Sequence, residues 1–148
     1  MAVAFRPAVA ADYAFCQQLY FQLNAWLLEA LQLDRAAHEA KFPEQWKVGE
    51  VRIIALDGQD IGWLQWCPQP NAFFLGQLYI DTPFQKHGIG TEVMRGLIAE
   101  AAHAQKSIQL DVVKINPALR LYLRLGFLIC GEEEHKYNMI FDPRPLQH

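Results

Sequence analysis

Between Phe73 and Thr91 the chain reads as a strand, a glycine loop and the start of a helix, a succession that restricts the fold more than any other stretch. The apolar run from Phe73 to Ile80 suits a buried strand, and Asp81-Thr82-Pro83 breaks it. Two glycines, Gly88 and Gly90, follow. Beyond them Val93, Met94, Leu97, Ile98, Ala101 and Ala102 fall on one face of a helix. A strand that runs through glycines into a helix N-terminus makes a site for anionic phosphate. The first helical N–H groups lack partners inside the helix, and the dipole places roughly half a positive charge there. Glycine lets the backbone approach a ligand closely and take positive φ.

Spacing narrows the choice of phosphate ligand. A nucleotide P-loop needs Gly-Lys-Ser/Thr where the helix begins, and Gly90-Thr91-Glu92 stands there instead. A dinucleotide fingerprint needs a third glycine, and Val93 occupies that place. What is left is Gln85-Lys86-His87-Gly88-Ile89-Gly90, of the form Gln/Arg-x-x-Gly-x-Gly/Ala. This loop resembles the pyrophosphate loop of the GCN5-related N-acetyltransferases (GNAT), which bind acetyl-coenzyme A. A plain strand-to-helix turn with capping glycines is the alternative reading of the same residues.

A second motif supports the resemblance. Asn116-Pro117-Ala118-Leu119-Arg120-Leu121-Tyr122-Leu123-Arg124-Leu125-Gly126-Phe127 resembles the family's other signature: an Asn, a short helix with Leu-Tyr, then Leu-Gly-Phe. It follows an expected strand, as the family requires. Asn116 suits an N-cap, Pro117 a first helical turn and Gly126 a C-terminal stop. With two motifs in order between about Phe73 and Phe141, the chain is identified as a member of the GNAT family.

Composition agrees and excludes other classes. A chain of 148 residues suits a single domain, 1–148, able to bury its own core. Hydrophobic residues make up 52%, which argues against disorder. The net charge of −3 and the lack of a basic run give no hint of nucleic acid. Cys16, Cys67 and Cys130 show no paired spacing, and the histidines show no metal-ligand spacing, so neither a disulfide framework nor a metal site is expected. No signal peptide or membrane span is evident at the start, so the reading is a cytoplasmic domain.

Val3 to Arg6 reads as a first strand ended by Pro7, and Asp12 as the N-cap of a helix carrying Phe15, Leu19, Leu23, Trp26, Leu27 and Ala30 on one face. A second helical stretch covers Asp34 to Lys41, with Pro43 closing it. Trp26, Phe42 and Trp46 read as core, or, by the resemblance, as walls of an acceptor pocket. Val51 to Leu56 and Ile61 to Trp66 are strands around Asp57-Gly58-Gln59-Asp60, a hairpin signal. Ile108–Val113, Leu128 to Gly131 and Lys136 to Phe141 are later strands. The expected fold class is α/β, a mixed, mainly antiparallel central sheet flanked by helices, in the element order of the GNAT acyl-CoA N-acyltransferase fold.

The resemblance implies roles. Main-chain groups of Leu78, Tyr79 and Ile80 would hold the pantetheine arm and contact the acetyl oxygen. Gln85, Lys86, His87, Gly88, Ile89, Gly90 and Thr91 would offer amides to the pyrophosphate, with Lys86 adding charge at the rim. Tyr122 would be the general acid for the leaving thiolate, against a plain packing role. Asn116 would touch the coenzyme, although many relatives place this asparagine one residue further from the tyrosine, which leaves it an N-cap otherwise. Asp111 is the nearest acid for a base, but a register offset of one would turn it to the other face. Gln65 and Gln77 cannot act as bases. Glu132, Glu133, Glu134 and His135 border the acceptor or form a solvated turn. The implied activity is acetyl transfer from acetyl-CoA to a small-molecule or peptide amine, by a monomer or a homodimer; a non-catalytic acyl-CoA sensor is the alternative.

Overall fold

The structure, a computed structural model, describes residues 2–144. Strands β1 (Val3–Pro7), β2 (Val51–Leu56), β3 (Gln59–Pro68), β4 (Ala72–Ile80), β5 (Ser107–Val113), β6 (Leu128–Glu132) and β7 (Lys136–Phe141) form one sheet in the order β1-β2-β3-β4-β5-β7-β6. The helices are α1 (Tyr13–Ala30), α2 (Arg35–Gln45), α3 (Ile89–Ala104) and α4 (Ala118–Leu125). β4 and β5 pair in parallel, with α3 as the crossover; β1–β2, β2–β3, β5–β7 and β6–β7 are antiparallel. The mixed, mainly antiparallel sheet expected from the sequence is therefore observed. Among the described residues no helix is long and apolar enough to cross a membrane.

The residues group into two compact units. One takes the chain up to Gln65 together with Gln77–Gln85; the other takes Trp66–Gly76 and the chain from Lys86 onward. In the first, Asp57 (φ 50°) and Gly58 (φ 85°) both adopt positive φ, the mirror-image turn that suits a twisted two-strand hairpin. Its core joins Cys16, Leu19 and Tyr20 of α1 to Phe42 of α2 and to Val51, Ile53 and Trp63 of the sheet. Phe42 lies at the centre of the rings, 4.9 Å from Tyr20, 5.5 Å from Tyr13 and 6.1 Å from Trp63. The pairs with Tyr13 and Trp63 are edge-on, and such pairs each add about 0.5–1.5 kcal/mol beyond the area they bury.

Three local expectations are corrected here. Asp12 precedes α1 but caps none of its amides: its carboxylate is turned to the Arg6 guanidinium at 2.9 and 3.0 Å and to the Val9 amide at 2.8 Å. The ion pair holds Asp12 below the usual carboxylate range. Pro43 does not close α2, which runs on to Gln45, with the Trp46 amide bonded to Phe42 O at 3.0 Å. Near the end of a helix the missing N–H costs only one bond, and the buried Phe42 keeps the preceding turn in place. Trp26, finally, is 45% exposed and lies outside the core.

In the second unit α3 buries Val93, Met94, Leu97 and Ala101 completely. The same face of β5 and β7 supplies Ile108, Leu110, Val112 and Met139, all buried. Phe127 packs between Tyr122 and Phe141 with tilted rings, at 5.6 and 5.3 Å. Gly126 stops α4 at φ 101°, and a Cβ there would press on the Phe141 ring at 3.2 Å.

Candidate active site

In the first unit the end of β4 is held from three sides. The Tyr79 hydroxyl donates to Gln77 Oε1 at 2.5 Å and accepts from Asn24 Nδ2 at 3.1 Å, and Asn24 also reaches Tyr20 O at 2.8 Å. The Tyr79 ring lies 5.3 Å from Trp63 and 5.7 Å from Tyr20. Past the strand, the Asp81 amide donates to Ile61 O at 2.8 Å, while Asp81 Oδ1 accepts the Thr82 amide at 2.8 Å. Gln85, expected on the coenzyme, spends its Nε2 on Ile80 O at 2.7 Å, so its carboxamide ties the loop back to the strand end. Leu78, Tyr79 and Ile80 are thus fixed through side chains and turns. Gln65 is also engaged, donating to Gln45 O at 2.8 Å and Glu50 Oε1 at 3.0 Å.

In the second unit the loop enters α3 through two left-handed residues, Lys86 at φ 65° and Gly88 at φ 79°. For Lys86 this conformation costs on the order of 1 kcal/mol or more, a strain that the loop must hold. Gly88 O accepts the first helical bond from the Glu92 amide at 3.1 Å, and no side chain caps the helix. The amides of Ile89, Gly90 and Thr91 therefore stand at the positive end of the dipole without a capping oxygen. Ile89 is buried and anchors the loop, while Lys86, His87 and Gly88 are exposed. Open space lies beside Gly88, where a Cβ would meet nothing within 4 Å. Curled backbone, free amides and open space together suit an anionic ligand.

Also in the second unit, Tyr122 projects from α4 and is 7% exposed. Its ring packs on Phe127, and among the described residues its hydroxyl has no hydrogen-bond partner. Burial pushes its pKa up to about 12, so it stays protonated at neutral pH. Asn116 Oδ1 accepts the Ala118 amide at 2.9 Å, so its oxygen is committed to starting α4. Asp111 faces β7, where Asn138 Nδ2 donates to it at 2.7 Å and also to Glu133 Oε2 at 3.0 Å. Lys136 Nζ lies 3.5 Å from Asp111 and 3.7 Å from Glu133. Glu132 bonds Lys114 at 2.6 Å, and His135 is 3.7 Å from Glu134. This exposed acidic stretch is a network of ion pairs. Among the described residues no group of His, Cys, Asp and Glu is arranged to hold a metal.

The sequence reading missed the Asn24–Tyr79–Gln77 chain and the place of Gly62 against β4. The first carries no local signal, since Asn24 and Tyr79 come from distant segments. The second had one, because an isolated glycine inside a strand marks close approach of another backbone.

No curated protein matches the sequence. Among solved structures, the PaiA N-acetyltransferase of Thermoplasma acidophilum in complex with coenzyme A superposes with TM-score 0.79 at 14% identity, covering 96% of this chain and 99% of its own. N-acetylglutamate synthase of Neisseria gonorrhoeae, complexed with coenzyme A and N-acetyl-glutamate, gives 0.71 at 15% identity, over 98% of this chain and 36% of that one. The NatC complex bound to Gag peptide and CoA gives 0.61 at 15% identity, over 96% and 99%. At such identities the likeness concerns the fold. The model of the acetyltransferase (GNAT) domain matches residues 47–129, more than half of the 148. The chain, with its glycine loop and its Asn-to-Phe helix both in place, belongs to the GNAT acetyltransferase family.

Proposed function

We propose that residues 1–148 act as a single domain that transfers an acetyl group from acetyl-CoA to a primary amine of a small molecule or peptide. The observation that carries this reading is the uncapped α3 N-terminus behind the left-handed Lys86 and Gly88. The amides of Ile89, Gly90 and Thr91 would bind the pyrophosphate, with Lys86 at the rim. The main chain of Leu78, Tyr79 and Ile80 would align the pantetheine arm and polarise the acetyl carbonyl, at no reorganisation cost because Asn24, Gln77 and Gln85 already hold that segment. The co-substrate supplies an activated thioester.

The acceptor nitrogen, uncharged, bonds to the carbonyl carbon as the carbon–sulfur bond breaks. Sulfur leaves with the bonding pair and takes the Tyr122 phenolic proton, while the proton shed by nitrogen passes to water, from which the Tyr122 phenolate regains a proton before the next turnover. The engagement of Asp111 with Asn138 and Lys136 favours water over that carboxylate as the acceptor of the proton. Relatives solved with N-acetyl-glutamate and with a peptide support either size of acceptor. The test is release of free thiol from acetyl-CoA across polyamines, aminoglycosides, amino acids and peptides with free N-termini. Thiol release with one class supports the enzyme. Coenzyme binding with no release on any amine leaves an acyl-CoA sensor, and the absence of binding overturns both.

A further inference from the structure

Gly62 occupies a point in β3 where no side chain fits. A Cβ built on it would lie 2.2 Å from Tyr79 O, 3.1 Å from Ile80 Cα and 3.2 Å from Tyr79 C, all backbone atoms of β4. Its torsion angles give no other reason for glycine, since the positive-φ glycines are Gly58, Gly88 and Gly126. The need is for space. The same place carries a bulge: against β2, Ile54 pairs with Gly62 but Ala55 with Asp60, leaving Ile61 extra, and Ile61 O receives the Asp81 amide. A bulge bends the strand that bears it. Here the bend and the missing side chain let β3 press against the Tyr79–Ile80 peptide.

We infer that Gly62 is a positioning residue for acetyl transfer: by receiving the Tyr79 carbonyl against its own α-carbon, it sets the orientation of the Ile80 N–H. In a planar trans peptide the C=O and the following N–H point in opposite directions. A carbonyl aimed at Gly62 therefore aims the Ile80 N–H away from β3. An added methyl group would need about 1 Å more room than the contact offers, and a misplacement of that size at a positioning group can cost on the order of 10²-fold in rate. The inference rests on the reading that the main chain of Leu78–Ile80 serves the acetyl group.

The test compares Gly62→Ala with Gly76→Ala, a glycine of β4 whose added Cβ would meet only the Phe74 ring, at 3.8 and 3.9 Å. Gly62→Ala should lower kcat about 10²-fold, with a much smaller change in the calorimetric Kd for coenzyme A, whose phosphates bind elsewhere. Gly76→Ala should keep wild-type kcat. Leu64→Ala, a buried truncation in the same strand, should lower Tm yet keep kcat per folded molecule. Should Gly62→Ala fail to fold, Asp81→Pro displaces the same rung by another route. Residue 81 already sits at φ −58°, which proline accepts, but the ring replaces the N–H facing Ile61 O. A folded Gly62→Ala or Asp81→Pro with wild-type kcat overturns the inference. A wild-type protein that neither binds coenzyme A nor releases thiol overturns the underlying reading instead.

Discussion

Tyr122 is where the family signature and the physical setting meet at a single residue. Its ring is buried against Phe127, and its hydroxyl is spent on no other residue among those described. If that hydroxyl protonates the leaving sulfur, Tyr122→Phe keeps the ring and removes the proton. General acids are typically worth about 10²–10⁴ in rate, and efficiency falls as the pKa moves away from the working pH. With the pKa pushed up to about 12, the loss should fall toward the lower end of that range. Steady-state kinetics should show it in kcat, with coenzyme affinity nearly unchanged. A tyrosine that only packs would instead give near-normal turnover in the folded fraction. Burial also makes a stability prediction of definite sign. The folded phenol holds its proton more tightly than the unfolded one, so its contribution is complete below about pH 10 and is lost as pH rises toward about 12. Denaturant titrations should show Tyr122→Phe losing up to ~2–3 kcal/mol less than wild type over that window. Tyr20, also raised by burial, is common to both proteins and cancels in the difference.

Among the elements, the α3 entrance gives the sharpest test. At Gly88 two effects of substitution can be separated, because the position is left-handed yet opens on free space. Valine there should cost about 1–2 kcal/mol of stability from its φ alone, whereas asparagine tolerates that region. Both place atoms where the phosphate is proposed to sit. Calorimetry should therefore find coenzyme affinity reduced in Gly88→Val and Gly88→Asn, with melting temperature lowered mainly in the first. Unchanged affinity in the asparagine variant would remove the loop from the coenzyme site. What the sequence made legible follows the same division. Periodicity found the α3 stripe because Val93, Met94, Leu97 and Ala101 are buried, although Ile98 is half-buried and Ala102, at the edge of that face, is exposed. The Asp57-to-Asp60 signal announced a hairpin whose turn is Asp57-Gly58 alone, because few residues adopt two positive φ values in succession. Asp12 and Pro43 were misread because a cap or a stop is a competition. Arg6 outbid the helix amides for Asp12, and a buried Phe42 held α2 together past its proline. Tyr79 and Gly62 depend on partners distant in sequence, which no local pattern encodes.

At the scale of the whole molecule the charge is a modest −3, and Glu132, Glu133 and Glu134 supply as much negative charge as that total. Sequence alone left this run as an acceptor border or a solvated turn. Glu132 pairs with Lys114, and Glu133 shares Lys136 with Asp111, so both carboxylates are already engaged by cations. Replacing all three with glutamine would raise the net charge from −3 to 0, take Glu132 from Lys114 and leave Lys136 with Asp111. Any help they give to a cationic amine would then come through the overall field, which decays within about 8 Å at physiological salt. The triple glutamine variant should raise KM for a polyamine more than for a peptide with neutral side chains at low ionic strength. At about 1 M salt, where the screening length is about 3 Å, the difference should vanish. A preference that survives high salt would mean direct contact between these carboxylates and the acceptor. Equal effects on both acceptors at every salt concentration would take the acidic run out of substrate selection altogether.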